Sequence, residues 1–180
     1  TVWEAGLGGR TTDLEFEDKP GRNGLTYLPV ALQQASPLDL VILALGTNDP
    51  FALAGRKPQD TANAMRTLIS TVRDLPLATG SSVPNTKPPK VMIVSPPNCL
   101  PLSSVKGEGH PELNDLTLWL PELSKLYGDL AAEQDTYFAD ASSFCEPDPI
   151  DGLHLNSENT RKLGLGIAQT LILNGFASSN

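Results

Sequence analysis

The run 40–45, six apolar residues in a row, constrains the fold of this chain more than any other feature. Apolar and polar residues do not alternate along it, which is typical of a strand buried on both faces of a parallel sheet covered by helices. Gly46 ends the run and is followed by Thr47, Asn48 and Asp49. Ligands bind at the carboxyl ends of strands in open α/β sheets, so this polar cluster is a candidate site. The alternative is an ordinary strand-ending turn, which often contains Gly, Asn and Asp.

Strand and helix patterns alternate along the rest of the chain and predict one doubly wound α/β domain over residues 1–180. Besides 40–45, the segments predicted as strands are 1–5, 91–94 and 136–139. The segments predicted as helices are 25–35, about 60–75, 112–135 with a break before Pro121, and about 156–174. Residues 76–89 are rich in proline and predict a surface insertion. Residues 96–111 follow the 91–94 strand, where they could cover a site.

Composition excludes several classes of partner. A formal net charge of -8 and a pI near 4.6 argue against nucleic acid and anionic membranes. The sequence has no apolar run of transmembrane length and no signal-peptide pattern. Cys99 and Cys145 lack metal-ligand spacing and predict two free thiols, which favours a cytoplasmic over a secreted protein while the compartment stays open. The sequence contains no metal cluster or cofactor motif, so we expect neither.

Asp151 and His154 stand three residues apart in a short connection before the last predicted helix. That spacing suits a pair in which the carboxylate holds one ring nitrogen while the other nitrogen faces a substrate. The carboxylate of such a pair fixes the imidazole tautomer and stabilises the imidazolium when histidine acts as a base. For His154 taken alone, a structural histidine is the alternative. Leu153 and Leu155 flank it and are expected to anchor the loop in the core.

Four sequence blocks, taken together and in this order, resemble the SGNH (GDSL-type) hydrolase family over essentially the whole chain. They are GLGGRTT at 6–12, LGTND at 45–49, VSPP at 94–97 and DGLH at 151–154. The resemblance is closest to the bacterial arylesterase and acyltransferase branch. It implies a mainly parallel, flavodoxin-like sheet flanked by helices. It also implies a serine esterase that hydrolyses short-chain carboxylic esters of small molecules, with acyl transfer to alcohols as a further activity and with homo-oligomers in the branch.

The resemblance also assigns roles to four residues. Gly9 N–H and the Asn48 side-chain amide would donate to the oxyanion of the tetrahedral intermediate. His154 would be the general base and Asp151 its orienting partner. Preorganised donors of this kind are effective because they face the position where negative charge develops.

One block of the family is missing. The strand that ends in Gly-Asp-Ser, whose serine is the nucleophile, has no match in the 180 residues. The resemblance implies that it lies before Thr1, so the domain is expected to be N-terminally incomplete. Ser95 and Thr47 could stand in for the serine, but both fit the family pattern poorly. The missing strand would lie between 1–5 and 40–45, and we expect the chain not to fold as a stable monomer with that slot empty, because buried strand edges would stay unpaired. Direct pairing of 1–5 with 40–45 would contradict this.

Two other hypotheses about the function remain open. The first is a non-catalytic relative that keeps the pocket and binds acylated or glycan ligands. The second is an N-terminal-nucleophile hydrolase, because the first residue is Thr1 and that chemistry uses a free α-amino group as the base. The alternation of strands and helices argues against the second reading, whose fold has stacked antiparallel sheets.

Overall fold

The computed structural model of the protein describes residues 1–75 and 87–176. Backbone contacts divide the chain into two compact units, residues 1–92 and 93–180, and each is described by itself. The helices are α1 (Gly24–Ala35), α2 (Asp49–Ala52), α3 (Pro58–Asp74), α4 (Leu113–Glu133) and α5 (Ser157–Leu173). The strands are β1 (Leu40–Leu43), β2 (Lys90–Ser95) and β3 (Tyr137–Asp140). Most of the predicted insertion at 76–89 lies outside the described residues.

The strands form an open parallel sheet in the order β1–β2–β3. Residues 91–94 of β2 are each at most 4% exposed. This confirms the prediction that an apolar run without alternation is a strand buried on both faces. The 136–139 segment is also confirmed as a strand, shifted by one residue so that Asp140 is its last member.

The burial predicted for the run 40–45 is wrong. Its strand ends at Leu43, and Ile42 is 43% exposed although Leu43 is buried. β1 is the first strand in the sheet order, and within residues 1–75 and 87–176 only β2 pairs with it. A strand with one neighbour leaves one edge open, so its side chains are covered less completely than those of a central strand.

The predicted strand at 1–5 is also wrong. These residues have no regular secondary structure and do not pair with β1, and Val2 and Trp3 are 87% and 60% exposed. A strand needs a neighbour to satisfy its backbone N–H and C=O groups, and no strand in the described part of the chain supplies one here. That the chain does not fold as a stable monomer without the missing strand stays a prediction.

In the first unit, α1 packs against α3. Asn23 caps α1 by accepting a hydrogen bond from the Thr26 N–H. The helix predicted at about 60–75 starts earlier, at Pro58, because proline fits the first position of a helix, where no N–H is needed. The two helices contribute buried apolar side chains to the core, namely Leu28, Leu32, Met65, Leu68, Ile69 and Val72.

In the second unit, α4 and α5 both pack against β3. The predicted break before Pro121 is wrong, because α4 runs unbroken through that residue. Proline removes one helical N–H donor, and packing offsets this loss: the side chains of Leu120 and Leu123 on either side are fully buried. Asn156 caps α5, which begins at Ser157, close to the predicted start at about 156. None of the helices described is long and apolar enough to span a membrane.

Candidate active site

The glycine-rich turn of the first unit is held in one shape by its own backbone. The Arg10 N–H donates to the Leu7 carbonyl oxygen over 3.0 Å, and Gly9 lies between them with φ +79°. That conformation strains any residue with a Cβ, so the turn favours glycine at this position. The Arg10 guanidinium lies 4.0 Å from the centre of the Tyr27 ring, a cation–π contact to α1. Gly9 therefore lies in an anchored turn.

Asn48 lies after β1, just before α2, and contacts the same turn. Its Nδ2 donates to the Arg10 carbonyl oxygen over 3.0 Å. Because the partner is a carbonyl, only the –NH2 end of the amide can face it, and this fixes the orientation of the group. The amide retains a second N–H on the same nitrogen. Gly9 and Asn48, the two predicted oxyanion-hole donors, are thus linked through Arg10.

Asp49, the next residue, is fully buried and accepts several hydrogen bonds. Its Oδ1 accepts the Thr12 N–H over 2.9 Å, and its Oδ2 accepts the hydroxyls of Thr12 and, over 2.9 Å, Thr61. Arg56 Nη2 lies 3.8 Å from the same Oδ2 and 2.6 Å from Asp13 Oδ1. Burial raises the pKa of Asp49, although the bonds from Thr12 and Thr61 and the charge of Arg56 oppose that shift.

From the sequence, Asp49 is part of the candidate polar cluster that follows 40–45, whereas Thr12, Arg56 and Asp13 have no individual predicted role. Asp49 and Thr12 also lie inside two of the quoted blocks. Arg56 and Thr61 lie in no block, and Arg56 meets Asp13 across 43 residues of sequence. Such contacts have no periodicity or spacing from which they could be predicted.

The loop that contains Asp151 and His154 in the second unit is compact. The Gly152 N–H donates to the Asp148 carbonyl over 2.8 Å, and the Asp148 N–H donates to the His154 carbonyl over 2.7 Å. Gly152 has φ +74°, and a Cβ there would lie 2.7 Å from Val105 Cγ2, so both the backbone and the space require glycine. Leu153 is buried, as expected from its anchoring position, and Leu155 is half-buried.

Within this loop, the carboxylate of Asp151 holds the imidazole of His154. Asp151 Oδ1 accepts the backbone N–H groups of Leu153 and His154, both over 2.9 Å, and Oδ2 lies 2.8 Å from His154 Nδ1. Burial by itself raises the pKa of Asp151, but these three hydrogen bonds outweigh it and hold the pKa below the ordinary value. The carboxylate is therefore ionised at neutral pH.

An ionised carboxylate can only accept hydrogen bonds, so Nδ1 of His154 must be the donor and must hold the ring proton. In the neutral imidazole, Nε2 then has the lone pair. The side chain of His154 is 74% exposed, so its ring is not a buried structural group. The arrangement can accept a proton at Nε2 and stabilise the resulting imidazolium through Asp151.

The segment that follows β2, predicted to cover a site, is bonded to the same loop. The N–H groups of Leu100, Lys106 and Gly107 each donate over 2.8 Å, to the carbonyl oxygens of Gly152, Pro149 and Ile150 respectively. These hydrogen bonds therefore hold the 96–111 segment against the loop that contains Asp151 and His154.

Ser95, one of the two residues considered as a substitute nucleophile, is enclosed. It is 1% exposed, its hydroxyl donates to Asp140 Oδ1 over 3.1 Å, and it accepts from the Ser124 hydroxyl over 3.0 Å. A hydroxyl bonded in this way closes the end of β2 and has no room to attack a substrate. Thr47, the other candidate, is half-buried. Among the residues described, no group of three or more His, Cys, Asp or Glu side chains could hold a metal ion.

Comparisons with known proteins identify the family. Residues 1–161 match the model of the GDSL-like lipase/acylhydrolase family. The aryl esterase of M. smegmatis is a similar solved structure, with 36% identity, a TM-score of 0.83, and 96% of this chain and 78% of that chain covered. Est24, a carbohydrate acetylesterase from Sinorhizobium meliloti, has 36% identity, a TM-score of 0.78, and coverage of 94% and 76%. Comparison with curated protein sequences gave no match.

These similarities confirm the predicted doubly wound α/β fold and the predicted resemblance to SGNH hydrolases. The family match covers the first unit and residues 93–161 of the second, and it includes all four sequence blocks. The chain therefore belongs to the GDSL-like lipase/acylhydrolase family, a family of carboxylic ester hydrolases.

Proposed function

We propose that this chain is the larger part of a serine esterase that hydrolyses short-chain carboxylic esters through an acyl-enzyme. The observation that best supports the proposal is the Asp151–His154 pair. A carboxylate oxygen 2.8 Å from Nδ1 leaves the lone pair on Nε2 of a largely exposed ring. This is the state a general base needs when it takes a proton from a hydroxyl nucleophile.

In the first half of the reaction, the serine hydroxyl attacks the ester carbonyl carbon and gives its proton to His154 Nε2. The carbonyl π electrons move to the oxygen, which becomes an oxyanion. Gly9 N–H and the Asn48 amide donate to this oxyanion. The bond to the alkoxy group then breaks, and the leaving alcohol takes the proton from His154, so an acyl-serine and an alcohol are formed.

In the second half, water takes the place of the departed alcohol. His154 removes a proton from the water as its oxygen attacks the acyl carbon. The second tetrahedral intermediate collapses to a carboxylic acid and free serine, with the serine oxygen taking back the proton. An alcohol in place of water would give a new ester, so the same steps account for the proposed acyl transfer.

The nucleophile in this proposal is a serine that ends a Gly-Asp-Ser strand preceding Thr1. The resemblance to the family and the enclosed position of Ser95 support this assignment. We further propose that residues 1–180 belong to one domain together with that strand, and that β1 supplies the edge at which the strand pairs. The open edge of β1 supports that part of the proposal.

For the substrate, we propose small esters with short acyl groups. Two similar structures are named as an aryl esterase and a carbohydrate acetylesterase, and an acetyl group is the acyl group that the second name specifies. Aryl acetates such as p-nitrophenyl acetate are therefore the appropriate first substrates.

The experiment that tests the proposal is His154→Ala in the full-length enzyme, with hydrolysis of p-nitrophenyl acetate as the readout. Loss of the base should lower kcat by roughly 10⁴-fold or more. Lys162→Ala is the control, because its exposed ammonium pairs with Glu158 one turn earlier on α5, outside the proposed machinery, and its loss should leave kcat within about twofold of wild type.

Activity of His154→Ala within tenfold of wild type would show that the assigned role is wrong. Absence of any esterase activity in the full-length wild-type protein would instead favour a non-catalytic relative that binds acylated or glycan ligands.

A further inference from the structure

We propose that Asp49 is a positioning residue of the oxyanion hole. Its buried carboxylate fixes the position of the Gly9–Thr12 turn relative to Asn48. The inference rests on the proposed function, because it takes Gly9 and Asn48 as the oxyanion donors.

Asp49 lies where the segment that contains Asn48 meets the glycine-rich turn. It directly follows Asn48, and its Oδ1 accepts the backbone N–H of Thr12, which lies three residues after Gly9. The bond joins two segments that are 37 residues apart in sequence. The bond from Asn48 Nδ2 to the Arg10 carbonyl joins the same two segments a second time. A shift of either segment therefore strains both bonds.

The Asp49 carboxylate forms this link with both of its oxygens. Both oxygens of Asp49 accept hydrogen bonds, from the Thr12 N–H and from the hydroxyls of Thr12 and Thr61. The side chain is fully buried, and a buried charge lowers stability unless it is paired and hydrogen-bonded. A carboxylate enclosed in this way cannot contact substrate directly. Its surroundings fit a role in which it acts through the residues it holds.

The residues that hold Asp49 are themselves held by further hydrogen bonds. Thr61 lies on α3, and its hydroxyl also accepts from Arg56 Nε over 3.3 Å. Arg56 is itself bonded to Asp13, the residue that follows Thr12. Asp49 is thus tied to a long packed helix on one side and to the glycine turn on the other. Oxyanion donors must be within a few tenths of an ångström of the productive geometry, and a support of this kind supplies that rigidity.

The test is a double-mutant cycle on kcat in the full-length enzyme, with p-nitrophenyl acetate as substrate and Asp49→Ala, Asn48→Ala and the double variant compared. Asn48→Ala should lower kcat by about 100- to 1,000-fold. Asp49→Ala should lower kcat by about 100-fold, the effect of a catalytic group misplaced by about 1 Å, while KM changes by less than about threefold. In the Asn48→Ala background, Asp49→Ala should lower kcat by less than about tenfold, because one of the two groups that it positions is already gone.

A second pair of variants keeps the test decisive if Asp49→Ala does not fold. Thr61→Val removes one hydroxyl from Asp49 and should lower kcat by about tenfold with little change in KM. Thr67→Val is its matched control on α3, since Thr67 is exposed and its hydroxyl donates to the Asn63 carbonyl of its own helix. It should leave kcat unchanged. Asp49→Asn should retain most of the activity, because the amide oxygen can still accept the Thr12 N–H and the threonine hydroxyls can rotate to accept from the –NH2 group.

The outcomes separate the inference from the proposed function. If Asn48→Ala leaves kcat unchanged, the proposed oxyanion hole is wrong and the inference fails with it. If Asn48→Ala lowers kcat as expected but Asp49→Ala lowers kcat equally in both backgrounds, the inference alone is overturned. A change in KM without a change in kcat for Asp49→Ala or Thr61→Val would overturn it as well.

Discussion

Asp151→Asn tests whether the carboxylate sets the tautomer of His154 or merely holds the loop together. The amide oxygen of asparagine can keep the two bonds that Asp151 Oδ1 accepts from the backbone N–H groups of Leu153 and His154. The –NH2 group would then face His154 Nδ1 in place of Oδ2. A donor at that position requires Nδ1 to accept, which moves the ring proton to Nε2 and removes the base.

The expected magnitude follows from this geometry. Because the loop bonds survive and only the tautomer changes, kcat should fall by about 10⁴-fold, the size of effect seen when asparagine replaces the orienting aspartate of a catalytic triad. Stability should change little. The His154 and Asp151 side chains are 74% and 30% exposed, and an exposed ion pair contributes less than about 1 kcal/mol. The melting temperature should therefore move by no more than about 4 °C.

The assay is steady-state hydrolysis of p-nitrophenyl acetate by the full-length enzyme, with thermal unfolding measured on the same preparations. Asp148→Asn is the matched control in the same loop. Asp148 Oδ1 accepts the Ile150 N–H over 2.9 Å, a bond that asparagine can also accept, and no bond to His154 Nδ1 is involved. Its kcat should stay within about twofold of wild type. If Asp151→Asn retains kcat within tenfold of wild type, the tautomer argument is refuted.

Three further predictions concern burial. Burial raises the pKa of Asp49 above its ordinary value of 3.8 in the folded protein. The neutral side chain therefore contributes stability that is fully present below pH 3.8, and this contribution is lost as the pH rises through the folded-state pKa. The free energy of unfolding of wild type relative to Asp49→Asn should therefore decrease between about pH 3 and about pH 7, and a constant difference would contradict the raised pKa. A Cβ on Gly166 would lie 2.2 Å from Phe144 Cγ, whereas one on Gly164 would meet nothing within 4 Å. In thermal or urea unfolding, Gly166→Ala should thus lower the free energy of unfolding by about 1–3 kcal/mol, whereas Gly164→Ala should raise it by about 0.5–1 kcal/mol. Equal effects of the two substitutions would show that the Phe144 contact is not rigid. Cys99 and Cys145 are free and buried, and burial raises the pKa of both thiols. Thiol titration should find both slow to react in the folded protein and two free thiols after unfolding without reductant, and fewer than two would indicate a bridge.

How far the sequence could predict the structure depends on how local each feature is. β2, α1 and α5 were predicted closely because apolar runs, helical stripes and helix ends are encoded within a few neighbouring residues. The Asp151–His154 pair could be predicted for the same reason, since its members lie three residues apart in one loop.

Features that depend on distant partners could not be predicted. The exposure of Ile42 depends on which strands pair with β1, and the sequence of β1 does not contain that information. The bonds of Asp49 to Thr12 and of Arg56 to Asp13 span 37 and 43 residues, and the residue types alone would equally suit a solvated surface. The role of Pro121 was mispredicted because burial of the surrounding helix outweighs the loss of one hydrogen bond.

The most direct test of the serine-esterase account is to find the residue that a serine-reactive fluorophosphonate labels in the native protein. Intact mass would give the length of the native chain and the number of adducts, and peptide mapping would locate the adduct. The account predicts one adduct, on the serine of a Gly-Asp-Ser segment preceding Thr1, and labelling slowed at least about 100-fold by His154→Ala. An adduct on a residue within 1–180, or an equal rate of labelling in His154→Ala, would contradict it.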